Sequence, residues 1–232
     1  MEKTILQSIV NKYNLDGLIE NAKWEINEDV VNIKGISPNK NLVCDITAPF
    51  PYKDLEFVVY GTSRLLKLIN VVDKEVDIKF ESENHITTKM RITDSSYELE
   101  YILADLMLAP AIPSVTEPNY EIKFDLDSDL ANKFIKAKKS LDTGVVSITP
   151  TQNQTLKFVI GETNNYSDKI SFEHPATYDT LAIKSLFFKV EELKSIFQDN
   201  RCNGQGFINM EGIIKLQFDD NNIMSEYIII AE

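Results

Sequence analysis

Ser63-Arg64-Leu65-Leu66-Lys67-Leu68-Ile69-Asn70 reads as an amphipathic helix, and the run of short strands behind it decides the fold. Val76 to Phe80 and Met90 to Thr93 are strand-like, and a polar Asp94-Ser95-Ser96 turn leads into a further strand from Tyr97 to Leu103. The same order returns downstream. Glu192-Leu193-Lys194-Ser195-Ile196-Phe197 is followed by Gly206 to Met210, Ile213 to Phe218, an Asp219-Asp220-Asn221-Asn222 turn, and Ile223 to Ala231. The opening helices also correspond, since Ile5 and Ile9 stand 125 positions before Leu130 and Phe134. An offset of roughly 125 to 128 positions is too long for a solenoid and marks a duplicated domain. Two unrelated α+β domains sharing common turn signals are the alternative.

Elsewhere the pattern is helix, then short strands. Residues 3 to 15 place Ile5, Ile9 and Tyr13 on one stripe, with Gly17 where a C-terminal cap belongs. Lys23 to Asn27, Val30 to Ile36, Leu42 to Ala48 and Leu55 to Tyr60 read as strands, and Thr62 or Ser63 is placed to cap the next helix, which runs through Val72. Tyr120 to Leu126 opens the second half as a strand, and Asp127 or Ser128 caps a helix to Leu141. Leu126, Leu130, Phe134, Ala137 and Leu141 form its apolar stripe, with Lys133, Lys136 and Lys139 opposite. Between the halves, residues 106 to 119 carry three prolines and no periodicity, too apolar at Met107, Leu108 and Ile112 for a free tether. The expected organisation is therefore a first domain over 1–105, a connector over 106–119 and a second domain over 120–232.

Charge is segregated by element. The chain carries a net charge of −12, which by itself argues against a nucleic-acid partner. Yet residues 2–16, 62–74, 128–142 and 188–201 hold 12 of the 24 Lys and Arg but only 8 of the 36 Asp and Glu. The helices are slightly basic, and the strands and loops strongly acidic.

Little supports catalysis. His85 and His174 read as residues of polar turns in different halves, and Cys44 and Cys202 lack paired spacing and read as small core residues. No phosphate-binding glycine loop is present, and Asp219-Asp220-Asn221-Asn222 reads as a hairpin turn rather than a metal site. No run approaches the roughly 18 apolar residues that a membrane helix needs, so a soluble, intracellular protein is expected.

Two α+β repeats, a proline-bearing apolar connector and basic helix faces in an acidic chain resemble the sliding-clamp family of DNA polymerase processivity factors. The two-repeat size is similar to the trimeric clamps of tailed bacteriophages, the T-even type in particular, and of archaea and eukaryotes. The most similar stretches are Phe57 to Pro110 and Glu226 to Ala231. The resemblance implies a duplicated clamp fold, each domain with two helices packed on antiparallel sheets, closing into a homotrimeric ring. It implies no enzymatic activity and no cofactor or metal. Double-stranded DNA would pass through the hole, a replicative DNA polymerase would be tethered outside, and an ATP-dependent clamp loader would open the ring in the cytoplasm of an infected bacterium.

Residue by residue, the resemblance implies DNA contacts from Lys3, Lys12, Arg64, Lys67, Lys74, Lys133, Lys136, Lys139, Lys194 and Arg201. The competing reading is that any helix keeps lysines on its solvent face. A partner-peptide pocket would draw on Ile36, Leu42, Met107, Leu108, Pro110, Ile229, Ile230 and Ala231; simple interdomain core is the alternative. Subunits would join by strand pairing of Tyr97 to Ala104 with Ser167 to Phe172 of a neighbour, through Tyr97, Leu99, Tyr101, Leu103, Lys169, Ile170 and Phe172. A duplicated β-rich structural or virion assembly protein, and a monomeric processivity subunit binding DNA on one face, are the other two functional readings.

Overall fold

Leu6, Ile9, Val10 and Tyr13 recur at spacings of three and four and wind residues Lys3–Asn14 into helix α1, all four side chains buried. Ile5 is 42% exposed, so the stripe runs through Leu6 and Val10 rather than through Ile5 as expected. The computed structural model describes residues 1–52, 54–113, 117–161, 167–179 and 183–232. Two compact units divide the chain: 1–113 with 222–225, and 114–221 with 226–232.

In the first unit α1 leads into β1 (Asn21–Asn27), β2 (Val30–Ile36), β3 (Leu42–Pro49) and β4 (Leu55–Tyr60). Inward and outward residues alternate along β1 to β3, as a sheet with one covered face requires. The strands pair antiparallel in the order β4-β1-β2-β3. Helix α2 (Thr62–Ile69) lies beside α1, and α1 packs on β2 and β3. A second sheet, β5 (Asp77–Glu83), β6 (Ile86–Thr93) and β7 (Glu98–Ile102), is a simple meander with β5 and β7 at its edges. Trp24 centres the core, its ring stacked on Phe57 at 5.5 Å and edge-on to Tyr13 and Phe50. Each such large apolar side chain stabilises the unit by about 1.5–3 kcal/mol on burial.

The second unit adds β8 (Ile122–Leu126) and then repeats the plan: α3 (Ser128–Ser140), β9 (Val145–Pro150), β10 (Thr155–Ile160), β11 (Ile170–Pro175), β12 (Leu186–Lys189) and α4 (Val190–Asp199). Its four strands run in the order β11-β10-β9-β12, the same arrangement as β3-β2-β1-β4. The closing meander is β13 (Gly204–Asn209), β14 (Ile213–Asp220) and β15 (Ile223–Ile230), with β8 paired on the outer side of β13. Phe134 of α3 meets Phe197 of α4 at 5.2 Å and so ties the helix pair together. The order of one helix, four strands, one helix and three strands thus runs twice, an α+β fold in duplicate.

Hairpin chemistry is local. Glu28-Asp29, Asn84-His85 and Asn221-Asn222 each hold two successive left-handed residues, the two-residue turn whose twist matches the flanking strands. Of the expected Asp219 to Asn222 turn only Asn221 and Asn222 turn, Asp219 and Asp220 being the last residues of β14, and no group of three or more His, Cys, Asp or Glu placed to hold a metal occurs among the described residues. His174 departs from expectation. It lies in β11, 6% exposed, with Nε2 2.7 Å from the Asp125 carbonyl oxygen. Cys44 is a core residue whose thiol burial pushes up to about 12, whereas Cys202 is only half-buried. Among the described residues no helix is long and apolar enough to cross a membrane.

Candidate nucleic-acid interface

The two faces of α3 are sorted by register. Leu130, Ala131, Phe134, Ile135 and Ala137 are buried, which leaves Lys133, Lys136 and Lys139 exposed on the opposite side. Asp127 caps the helix as its spacing predicts, its carboxylate accepting the Leu130 N–H at 2.7 Å. Lys133 pairs with Asp129 one turn earlier at 2.6 Å; Lys136 and Lys139 make no ion pair among the described residues. On α4, Lys194 is held by Glu191 at 3.0 Å and is 21% exposed. Arg201, just beyond α4, is exposed and donates to the Gln198 carbonyl and to Asn132 Oδ1 on α3. Glu192 is buried and takes no part in this face.

In the first unit Arg64 and Lys67 are exposed on α2, Arg64 lying 5.0 Å over the Tyr101 ring. Lys74 is exposed, but on the loop after α2, which ends at Ile69 and not at Val72. Lys3 has a local role: its ammonium donates to the Asn70 and Val72 carbonyls at 3.1 and 2.6 Å, satisfying oxygens that the end of α2 leaves open. Lys12 corrects the expectation outright. At 1% exposure it is enclosed in the unit and out of reach of a phosphate.

The expected peptide contacts fall into separate environments. Met107 and Leu108 sit on a 3-10 turn, Leu106–Leu108, and are 92% and 59% exposed. Asp105 fixes that turn by accepting the Met107 N–H at 2.8 Å. Ile36, Pro110 and Ala231 are half-buried and Ile230 is exposed. Leu42 and Ile229 are fully buried and offer no side-chain surface, because each points inward from its strand.

Of the expected subunit contacts, β7 and β11 both lie at sheet edges. Tyr97 is exposed and Leu99 half-buried, whereas Tyr101 and Leu103 are 1% and 6% exposed and serve their own core. Ile102, at 59%, is the apolar residue that β7 presents instead. The partner strand begins at Ile170 rather than Ser167, so exposed Lys169 precedes it. Ile170 and Phe172 are half-buried, with Phe172 stacked on Phe158 at 5.2 Å.

Superposition on solved structures places this architecture. Proliferating cellular nuclear antigen (PCNA) from Entamoeba histolytica matches with a TM-score of 0.75 and 8% identity, covering 100% of this chain and 96% of that one. A. fulgidus PCNA, solved with the C-terminal region of FEN-1 bound, matches at 0.77 and 14% over 100% and 96%. The PCNA2–PCNA3 complex of Sulfolobus tokodaii matches at 0.74 and 12% over 100% and 97%. The chain has the sliding-clamp fold. At these identities the likeness is one of fold, and neither a protein-family model nor a curated protein matches the sequence.

Within this fold the structure shows ion-paired lysines beside these faces that periodicity missed. Lys138 is only 12% exposed, donating to Glu191 at 3.0 Å and to the Thr143 carbonyl at 2.9 Å. Lys215 joins Glu117 at 2.6 Å and Glu226 at 3.1 Å, so it fastens the segment before β8 to β14 and β15. Asn209 Nδ2 to the Asn119 carbonyl and the Met210 N–H to Glu121 extend that attachment. Opposite charges far apart in sequence were the available signal, and nothing in the spacing selects these partners.

Proposed function

We propose that this protein is a sliding clamp of DNA replication. Three copies close head to tail into a ring around double-stranded DNA, and the ring tethers a replicative DNA polymerase without catalysing any step itself. The observation that carries the reading is that Lys67, Lys133, Lys136 and Lys139 stand outward on repeated helix pairs in a chain of net charge −12. Exposed lysines of this kind meet phosphate without reading bases, which suits a protein that must slide. Arg64, Lys74 and Arg201 extend the set.

In this reading residues 1–105 and 120–232 are the clamp domains and 106–119 the connector. Each β7 edge pairs with β11 of the next copy, flanked by Tyr97, Leu99, Lys169, Ile170 and Phe172. Met107 and Leu108 anchor partner peptides, an ATP-dependent loader opens the ring, and the ring is of the trimeric T-even-like phage type, acting in a bacterial cytoplasm; the two-unit size supports that reading.

Light scattering across a dilution series tests the ring: a species of three chains is expected, and a monomer at every concentration overturns it. Reversing Lys133, Lys136 and Lys139 together with Arg64 and Lys67 to Glu should abolish polymerase stimulation on primed circular DNA. Full stimulation by that variant overturns the DNA-facing assignment.

A further inference from the structure

The acidic residues left on the basic helices of the second unit are not scattered. Glu191, in the first turn of α4, accepts from Lys138 of α3 through one carboxylate oxygen and from Lys194 through the other, both at 3.0 Å. Asp129 pairs with Lys133 alone, one turn along α3, at 2.6 Å. The lysines of this face therefore form two sets. Lys136 and Lys139 are open to an incoming anion, while Lys138 and Lys194 are 12% and 21% exposed and share the one Glu191 carboxylate. Glu191 is itself 48% exposed, so the paired site faces solvent rather than core.

A carboxylate bridging two ammonium groups does what a DNA phosphate oxygen would do in its place. The two lysines hold the Glu191 carboxyl below the usual range even though its partial burial acts the other way. We propose that Glu191 is a built-in stand-in for a backbone phosphate, withholding Lys138 and Lys194 so that the α3–α4 face binds passing duplex weakly enough to move along it. The inference rests on the DNA-facing reading of that face. A role confined to cross-linking α3 and α4 would leave DNA binding unchanged when the charge is removed.

The test is Glu191→Gln in the full chain, with binding to a fluorescein-labelled duplex of about 40 base pairs followed by anisotropy over a range of KCl. Releasing two lysines should steepen the slope of log K against log salt by about one to two and tighten binding several-fold at low salt. Glu191→Asp keeps the charge and should behave as the parent. Glu83→Gln, the same charge change on an exposed residue of β5, should leave the slope alone. Circular dichroism melts identify any variant that fails to fold. In that event Lys194→Gln supplies the reading: removing a lysine that Glu191 already engages should leave the slope within about half a unit of its parent value, and a loss of a full phosphate contact overturns the proposal. An unchanged slope in folded Glu191→Gln, with weaker binding in a Lys136→Glu, Lys139→Glu double variant, overturns the role of Glu191 and leaves the DNA-facing reading standing. If the double variant also binds as the parent does, the DNA-facing reading fails and this inference falls with it.

Discussion

The Glu20 carboxylate accepts the Ser63 backbone N–H at 3.0 Å and the Ser63 hydroxyl as well, so α2 is capped from the loop before β1 and not by its own first residues. The Glu20 carbonyl takes the Gly61 and Thr62 N–H groups and the Thr62 hydroxyl. Gly61, at φ +80, holds the N-cap position and has no side chain with which to cap the helix.

Glu20→Ala should therefore lower stability by about 0.5–2 kcal/mol, the usual loss for a helix cap. Urea denaturation measures it. Ser63→Ala keeps the backbone donor paired and should cost less; an equal loss would place the effect in the hydroxyl rather than the cap.

The turn between β6 and β7 is closed by Asp94, whose carboxylate accepts the N–H groups of Asp73, Ser96 and Tyr97. Those bonds, the Asp73 contact foremost, hold its acidity below the ordinary carboxylate value. A carboxyl with a depressed folded value contributes stability above the unfolded value of about 3.9 and loses it as pH falls through the lower folded one. Melting temperature should drop with acidification in that window, and Asp94→Asn should flatten the drop. Glu100, lowered by Lys89 and then Arg91, should add to the same acid limb.

Gly206 on β13 faces Phe124 on β8 in register, and a Cβ there would lie 2.2 Å from the ring. Phe124 is buried, so the ring cannot swing clear. Gly206→Ala should cost about 1–3 kcal/mol through overpacking. Adding Phe124→Leu should recover part of the loss in thermal melts, a coupling that two independent sites would not show.

Lys215→Met removes the cation shared by Glu117 and Glu226 while keeping the apolar stem. Cleavage near residues 117–121 under limited proteolysis should accelerate, with little change in melting temperature because Glu117 is 68% exposed. Unchanged cleavage would show that the Asn209 and Glu121 bonds suffice alone.

What was legible in the sequence was what depends on neighbours along the chain. The Asp127 cap, the Asn221-Asn222 turn, the α3 lysine face and the repeated meander all arise from residues a few positions apart. What failed depends on packing through space. Lys12 carries the polar signature of a surface residue yet is enclosed, and His174 reads as a turn residue until the Asp125 carbonyl is placed against its ring. Ile5 and Leu6 are adjacent and equally apolar, so only the docking of α1 on its sheet decides which is covered. Tyr101 and Leu103 stand on the edge strand read for the subunit contact, and the pattern shows that edge without showing that both side chains turn into their own core.

The three two-residue hairpins turn through left-handed backbone without a single glycine, using Glu28-Asp29, Asn84-His85 and Asn221-Asn222. Residues such as Glu28 and Asp29 adopt that geometry under strain that Asn-Gly would relieve. The protein thus retains thermal headroom in these turns: turn replacement at Glu28-Asp29 offers an engineer a more heat-tolerant scaffold with no helix residue changed.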